Sequence, residues 1–292
     1  MTNKAADQSP LGIIAGSGDL PLYIAAKAHA MGRQVFIAAI QGTTDPKIEQ
    51  HPHIWLKWGE LGKLFKSLSQ AGVQDLVIIG GVKRPNLKDM HVDFGLICNL
   101  PFIFSLTLGG DDSVLSNVVD FIEKKGFTII GAHEIAPELT ADLGCMTKKQ
   151  PSPRDQADID KGKKTVLELG SMDIGQGAVV ARDYVLCVEA AEGTDQMLER
   201  AKGLRQWGSK WLGRRFGVLV KWPKPHQELR IDMPTIGPKT VALVAEAGLA
   251  GICVAAGNVL MSDKQKTIEA ANQAGIFIIG QSLDETAHTP SS

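Results

Sequence analysis

This 292-residue chain has few cysteines, no paired histidine motif, no excess of either charge and no unbroken apolar run long enough to span a membrane. Its four cysteines, Cys98, Cys145, Cys187 and Cys253, stand far apart without a CxxC pair. That spacing argues against a zinc site or a disulfide framework and for reduced thiols in a cytosolic protein. A formal net charge of −1 and a sequence pI of about 6.7 leave no basic excess, so no nucleic-acid partner is expected. Among seven histidines, His51 and His53 flank Pro52 and His133 follows a strand, and none has ligand spacing. There is no GxSxG elbow and no P-loop lysine. The opening segment MTNKAADQSP lacks an apolar core, so no secretion signal is expected. Residues 90–108 are strongly apolar, but Asp93, Asn99 and Pro101 interrupt them. Core packing is the plain reading of that run and a lipid-contacting surface the other.

What is present alternates between strand and helix. LGIIA (11–15), QVFIAAI (34–40), DLVIIGG (75–81) and FTIIGA (127–132) are continuous apolar strands. Between them lie helices predicted to about Ala30, over about 60–70, and after Asp111-Asp112-Ser113 to Gly126, with Asp19 as first N-cap and Pro21 in the first turn. The third helix is expected to bury Val114, Leu115, Val118 and Ile122. Such alternation predicts α/β structure with a parallel sheet. Polar, aperiodic sequence over 137–155 marks a linker between an N-terminal domain, 1–136, and a C-terminal mixed α/β domain, 156–292. There, Ser152-Pro153 opens a helix to about Leu169, and 175–195 reads as a hairpin turning at Arg182-Asp183 with Thr194-Asp195 capping the next helix. Further strands are expected at 216–222, 251–256 and 276–280, with Ser262 to Gln265 as a capping box.

Ligands of parallel sheets bind beyond the carboxyl ends of the strands. Four glycine-bearing segments fall there: Gly16-Ser17-Gly18, Gly80-Gly81-Val82-Lys83-Arg84, Gly109-Gly110-Asp111-Asp112 and Gly131-Ala132-His133-Glu134. A dinucleotide fingerprint is broken, because Pro21 replaces the third glycine and Gln41-Gly42 follow the second strand where an acid is expected. Hydride transfer with NAD is therefore demoted. Between Lys202 and Lys224 run seven basic residues and no acid, interleaved with Trp207, Trp211 and Trp222. That pattern suits an anionic interface such as a membrane surface; a solvated helix face with indoles packed inward is the alternative.

The stretch KWPKPHQELRIDMPTIGPKT (221–240) holds Asp232 in a frame of Pro223, Pro225, Pro234 and Pro238, with Gly237 expected to permit a turn and Arg230, Lys221 and Lys239 nearby in sequence. A carboxylate on a stiff loop beside cations, ahead of a helix, suits phosphate chemistry: it can hold a metal or activate water. An exposed aspartate in a turn is the competing reading.

These motifs in this order carry a resemblance. Arg230-x-Asp232-x-Pro234-x-Ile236-Gly237-x-x-Thr240, Ile14-Ala15-Gly16-Ser17-Gly18-x-Leu20-Pro21, Gly80-Gly81-Val82-Lys83-Arg84-Pro85, Gly109-Gly110-Asp111-Asp112, Asp173-Ile174-Gly175-Gln176 and Val188-Glu189-Ala190-x-Glu192-Gly193-Thr194 resemble the LpxI-type UDP-2,3-diacylglucosamine diphosphatases over about 11–285. The resemblance implies a cytoplasmic hydrolase of lipid A biosynthesis. It would cleave UDP-2,3-diacylglucosamine to UMP and 2,3-diacylglucosamine 1-phosphate with Mg²⁺ or another divalent metal, water attacking the phosphorus nearer the sugar. It also implies an N-terminal Rossmann-like domain, a distinct C-terminal domain with the site between the two, a homodimer, and Asp232 as the essential aspartate and metal ligand. The candidate substrate-binding residues are Gly16, Ser17, Gly81, Lys83, Arg84, Gln176, Gly177, Glu189, Ala190, Thr194, Lys221, Thr235 and Gly237. Asp111, Asp112 and Glu192 are reserve metal ligands, more simply read as capping or surface acids. A two-tailed substrate implies transient contact with the inner membrane. A non-enzymatic regulator binding the nucleotide or lipid, or an NAD-dependent oxidoreductase, is the alternative.

Overall fold

The structure, a computed structural model, describes residues 9–81, 111–204, 215–225 and 227–283, with the backbone alone at 111–113. Cys98, Lys83, Arg84, Gly109, Gly110, the apolar run at 90–108, Trp207 and Trp211 lie outside the described residues. The chain divides into two compact units, Met1–Pro137 with Arg230–Asp232, and Glu138–Leu229 with Met233–Ser292. Arg230–Asp232, which the sequence pattern puts in the C-terminal domain, thus belongs with the first unit.

The first unit is built from β1 (Leu11–Ala15), α1 (Leu20–Ala30), β2 (Val35–Ile40), β3 (His53–Leu56), α2 (Leu61–Gln70), β4 (Asp75–Ile79), α3 (Asp111–Lys124), β5 (Thr128–Ile129) and the one-turn α4 (Ala132–Ile135). Its strands form one parallel sheet in the order β3-β2-β1-β4-β5. Burial of Leu11, Ile13, Ile37, Leu76 and Val77 explains the continuous apolar strands, since a parallel sheet within a domain leaves neither face wet. Strand β3 is absent from the sequence expectation. Its four residues follow Pro52 and carry His53 and Trp55, so no apolar run announces it. Helix α3 buries Ile122 as expected, together with Val119, while Val118 is half-buried and packs against the same cluster and Val114 and Leu115 are half-buried. Asp19 makes no side-chain cap bond.

The second unit carries β6 (Gly144–Cys145), α5 (Pro153–Gly170), β7 (Gly177–Ala181), β8 (Tyr184–Val188), α6 (Gly193–Leu204), β9 (Val218–Lys221), β10 (Thr235–Ile236), α7 (Pro238–Glu246), β11 (Gly251–Ala255), β12 (Leu260–Met261), α8 (Lys264–Ala274) and β13 (Phe277–Gln281). Six strands make a mixed sheet, β6-β13-β11-β9-β7-β8, in which β9, β11 and β13 are parallel and β6, β7 and β8 pair antiparallel with their neighbours. Residues read as linker supply β6, which pairs with β13. The β7–β8 hairpin turns at Arg182 and Asp183, both at positive φ (54° and 67°), which matches the right-handed twist of the strands. The buried Asp158 carboxylate accepts both turn N–H groups, at 3.0 and 2.8 Å. Ser152 and Asp155 form a reciprocal cap on α5. Two caps differ from expectation: Thr194 lies inside α6, and α8 is capped by Asp263 alone, accepting from Lys266 N–H. Cys187 and Cys253 are buried, and Cys145 is half-buried.

Candidate active site

In the first unit β1 is central: β2 and β3 extend the sheet on one side, and β4 and β5 on the other. The chain order reverses between β1 and β4, the position where such sheets open a crevice at their carboxyl ends. Two glycine turns meet there. Ser17 N–H donates to Gly81 O at 2.8 Å, Gly81 N–H donates back to Ser17 O at 3.0 Å, and Ser17 Oγ also donates to Gly81 O at 3.0 Å. A Cβ on Gly16 would fall 2.6 Å from Gly81 O, so glycine is required by the approach of the two backbones. Ser17 and Gly81 are exposed. Of the predicted residues, Gly16, Ser17 and Gly81 are therefore brought together.

Asp232 reaches this unit through its two predecessors. Arg230 Nη1 donates to Glu123 Oε1 at 2.8 Å and to Ile129 O at 3.5 Å, and Ile231 packs against the cluster containing Phe127 and Ile129. The sequence expectation made Arg230 a cation for phosphate; the structure commits it to a carboxylate and a carbonyl. Asp232 follows, half-buried.

In the second unit the candidates collect along one end of the sheet. Gly177 pairs with Lys221 across β7 and β9, and Glu189 N–H donates to Gly177 O at 2.8 Å. Glu189 and Lys221 are 6% and 5% exposed. Lys221 Nζ donates to Thr194 Oγ1 at 2.5 Å, Thr194 Oγ1 donates to Glu189 Oε1 at 2.9 Å, and Lys221 Nζ stands 3.9 Å from Glu189 Oε2. The hydroxyl thus relays between two buried opposite charges, while Glu189 Oε2 accepts no hydrogen bond among the described residues. A Cβ on Gly177 would lie 2.4 Å from that oxygen, so a side chain there would push the Glu189 carboxylate from its place. Gln176 is engaged structurally: Trp222 N–H donates to its carbonyl, and Gln227 Nε2 donates to its side-chain oxygen, both at 2.9 Å. Ala190 is exposed.

Thr235 and Gly237 sit elsewhere in the same unit. Thr235 Oγ1 donates to Met233 O at 3.1 Å, and β10 pairs in parallel with β12. Gly237 does not supply the expected turn: its φ of −161° is extended backbone, and a Cβ there would come 3.3 Å from Ser262 Cβ. Lys239 forms an exposed ion pair with Asp195 at 2.6 Å, which raises its pKa. Glu192 pairs with Arg200 at 2.8 Å. At the end of the basic, tryptophan-bearing stretch, Trp222, Lys221 and Lys224 are buried, and Lys224 bonds to Asp173. Those three pack inward rather than toward a membrane.

Two sequence models match the chain, the LpxI N-terminal domain over residues 10–139 and the LpxI C-terminal domain over 142–279. The chain belongs to the LpxI family. A LpxI relative from Caulobacter vibrioides, a UDP-2,3-diacylglucosamine pyrophosphatase, is 42% identical over 270 residues, covering 92% of this chain and 96% of the relative. Every motif on which the LpxI resemblance rests, outside the undescribed segments, falls in an ordered turn, strand end or helix start of the units above. One region of the first unit carries none of those motifs. Beyond β2 and β3 a cleft of about 500 Å³ is lined by Gln41, Gly42, Thr44, Pro46, Glu49 and Trp55. Its only trace in the sequence is Gln41 where a dinucleotide fold has an acid.

Proposed function

We propose that this chain hydrolyses the diphosphate bond of UDP-2,3-diacylglucosamine, giving UMP and 2,3-diacylglucosamine 1-phosphate for lipid A biosynthesis. The observation that carries this is the 42% identity to a UDP-2,3-diacylglucosamine pyrophosphatase over 92% of the chain. Asp232 is assigned as the catalytic residue from its place in the Arg-x-Asp-x-Pro-x-Ile-Gly motif. It orients the attacking water and accepts its proton. The water oxygen bonds to the phosphorus nearer the sugar, the bridging P–O bond breaks, and UMP leaves with the bridging oxygen.

Among the described residues, no group of three or more His, Cys, Asp or Glu side chains is arranged to hold a metal ion. A half-buried carboxylate fits Mg²⁺ all the same, because that ion is commonly held by one or two carboxylates together with substrate phosphates and water. Asp232 is thus the residue that would hold it. Bound there, Mg²⁺ supplies charge neutralisation at the diphosphate. Ser17 and the neighbouring glycine backbones are assigned to substrate oxygens; Lys221 is assigned to anionic charge, with Glu189 and Thr194 fixing its ammonium. Gly177, Gln176, Ala190, Thr235 and Gly237 shape substrate contacts, and Lys83 and Arg84 are assigned by motif to the phosphates.

No helix among the described residues is long and apolar enough to cross a membrane. We further assign a cytoplasmic homodimer that touches the inner membrane transiently, an assignment supported by the motif resemblance and by the need to receive a two-tailed lipid.

The test is direct: full-length protein, Mg²⁺ and UDP-2,3-diacylglucosamine, with UMP followed by chromatography. UMP release that stops with EDTA and returns with Mg²⁺ is expected. A protein that binds the lipid nucleotide and leaves it intact overturns the reading in favour of a regulator.

A further inference from the structure

We propose that His29 and His51 together bind one divalent transition-metal ion of the imidazole-preferring kind, Zn²⁺ being the type, at the amino end of the first unit's sheet. The site is separate from the hydrolase chemistry assigned above. Gly16, Ser17 and Gly81 lie past the carboxyl ends of β1 and β4, at the other end of the same parallel sheet.

The two histidines are 22 residues apart, so they leave no motif in the sequence and only folding brings them together. His29 stands in the last turn of α1. His51 follows the short 3₁₀ helix Pro46–Gln50 and precedes β3. His29 Nε2 and His51 Nδ1 are 3.2 Å apart, and the rings are stacked with centroids 5.2 Å apart and planes at 19°. Two imidazole nitrogens held at about 2.0–2.1 Å by one tetrahedral Zn²⁺ lie about 3.3 Å from each other. The pair therefore already has the bite of a chelate. By itself, one ring donates a proton to the facing nitrogen of the other. When the ion binds, the donor ring carries that proton on its other nitrogen, both lone pairs face the metal, and both rings stay neutral.

The frame around His51 is set in advance. Its N–H donates to Ile48 O at 3.0 Å, its carbonyl accepts from His53 Nδ1 at 2.8 Å, and the carbonyl of the next residue, Pro52, accepts from Ile37 N–H at 2.9 Å. Ile48 is fully buried and anchors the 3₁₀ helix. Little ordering is left to oppose binding. The carboxyl end of α1 adds a dipole that favours a cation. His29 is exposed and His51 half-buried, so an ion reaches both from solvent. Among the described residues no third His, Cys, Asp or Glu completes a metal-holding group with them, and water fills the other positions. Imidazole donors favour Zn²⁺, Ni²⁺ and Cu²⁺, whereas Mg²⁺ takes oxygen ligands, so the two metals do not compete for one site.

Calorimetry with ZnCl₂ on the full-length protein, with thiols kept reduced and Mg²⁺ present, tests the site. His29→Gln and His51→Gln are each expected to weaken it about tenfold or more, because each leaves a single imidazole without its intramolecular partner. The rise in thermal midpoint with added Zn²⁺ should shrink in both variants. Electron paramagnetic resonance with Cu²⁺ as probe should show coupling to two imidazole nitrogens in wild type and lose one of them in His29→Gln, a change that a purely structural role would not produce. His29 is exposed, so this variant keeps the test alive should His51→Gln fail to fold. Wild type that binds no Zn²⁺ overturns the proposal. Zn²⁺ binding of equal affinity and stoichiometry in wild type and folded His29→Gln overturns it as well, since the ion then sits adventitiously elsewhere.

Discussion

Burial makes Glu189 and Lys221 depend on each other. Each is nearly removed from water, and the Thr194 hydroxyl bridges their charges. Removing one partner strands the other. Lys221→Met is therefore expected to destabilise the protein by about 3–5 kcal/mol, and Glu189→Gln combined with Lys221→Met to recover part of that loss. Urea denaturation of the two single variants and the double variant checks this, and additive losses would show that the charges are not coupled. Asp232 belongs to a different kind of residue, half-buried and assigned to chemistry. Asp232→Ala is expected to lower kcat by about 10²–10³-fold or more while the fold and substrate binding persist. Wild-type-like turnover by a folded variant removes the assignment.

Among the elements, the β7–β8 hairpin shows most plainly how a turn is held. Two non-glycine residues take positive φ, a conformation that costs roughly 1–2 kcal/mol per residue. Asp158, 2% exposed on α5, offsets that cost by accepting both turn N–H groups. Asp158→Ala is expected to cost about 1–3 kcal/mol and to speed amide exchange at Arg182 and Asp183. Unaltered exchange there would mean that the turn holds itself. The hairpin matters because it aligns Gly177 beside Lys221 and delivers Glu189 just past the end of β8.

For the whole molecule, pH acts through a histidine pair on the first unit. His29 Nε2 and His51 Nδ1 stand 3.2 Å apart with stacked rings. Burial first, and the neighbouring His29 second, lower the His51 pKa below its ordinary value of 6.5. The unfolded chain therefore takes up this proton at higher pH than the folded one. Stability is then full above about pH 6.5–7 and falls as the pH drops through 6.5 toward the folded value. Thermal unfolding followed between about pH 5 and 7 should show this slope, and His51→Gln should flatten part of it; an identical slope in the variant excludes His51 as a source.

The alternation of apolar runs with glycine-closed helices was enough to state an α/β fold with a parallel sheet, because each run of β1, β2 and β4 carries its own burial signal. Local chemistry likewise announced the Ser152 cap, the Arg182-Asp183 turn and the start of α7 at Pro238. Strand β3, the two-residue β6 and the unit to which Arg230–Asp232 belongs were beyond its reach, since short strands acquire their identity from a partner rather than from their own residues. The candidate site divides the same way. Motif order along the chain named Gly16, Ser17, Gly81, Gly177, Glu189, Thr194, Lys221 and Asp232, while pairing across strands decided that Gly177, Glu189 and Lys221 share one end of a sheet. Periodicity and turn chemistry are properties of neighbouring residues and can be read in one dimension. Register, burial of charge and the cleft beside Trp55 arise from segments far apart in the chain, and only the folded structure brings those together.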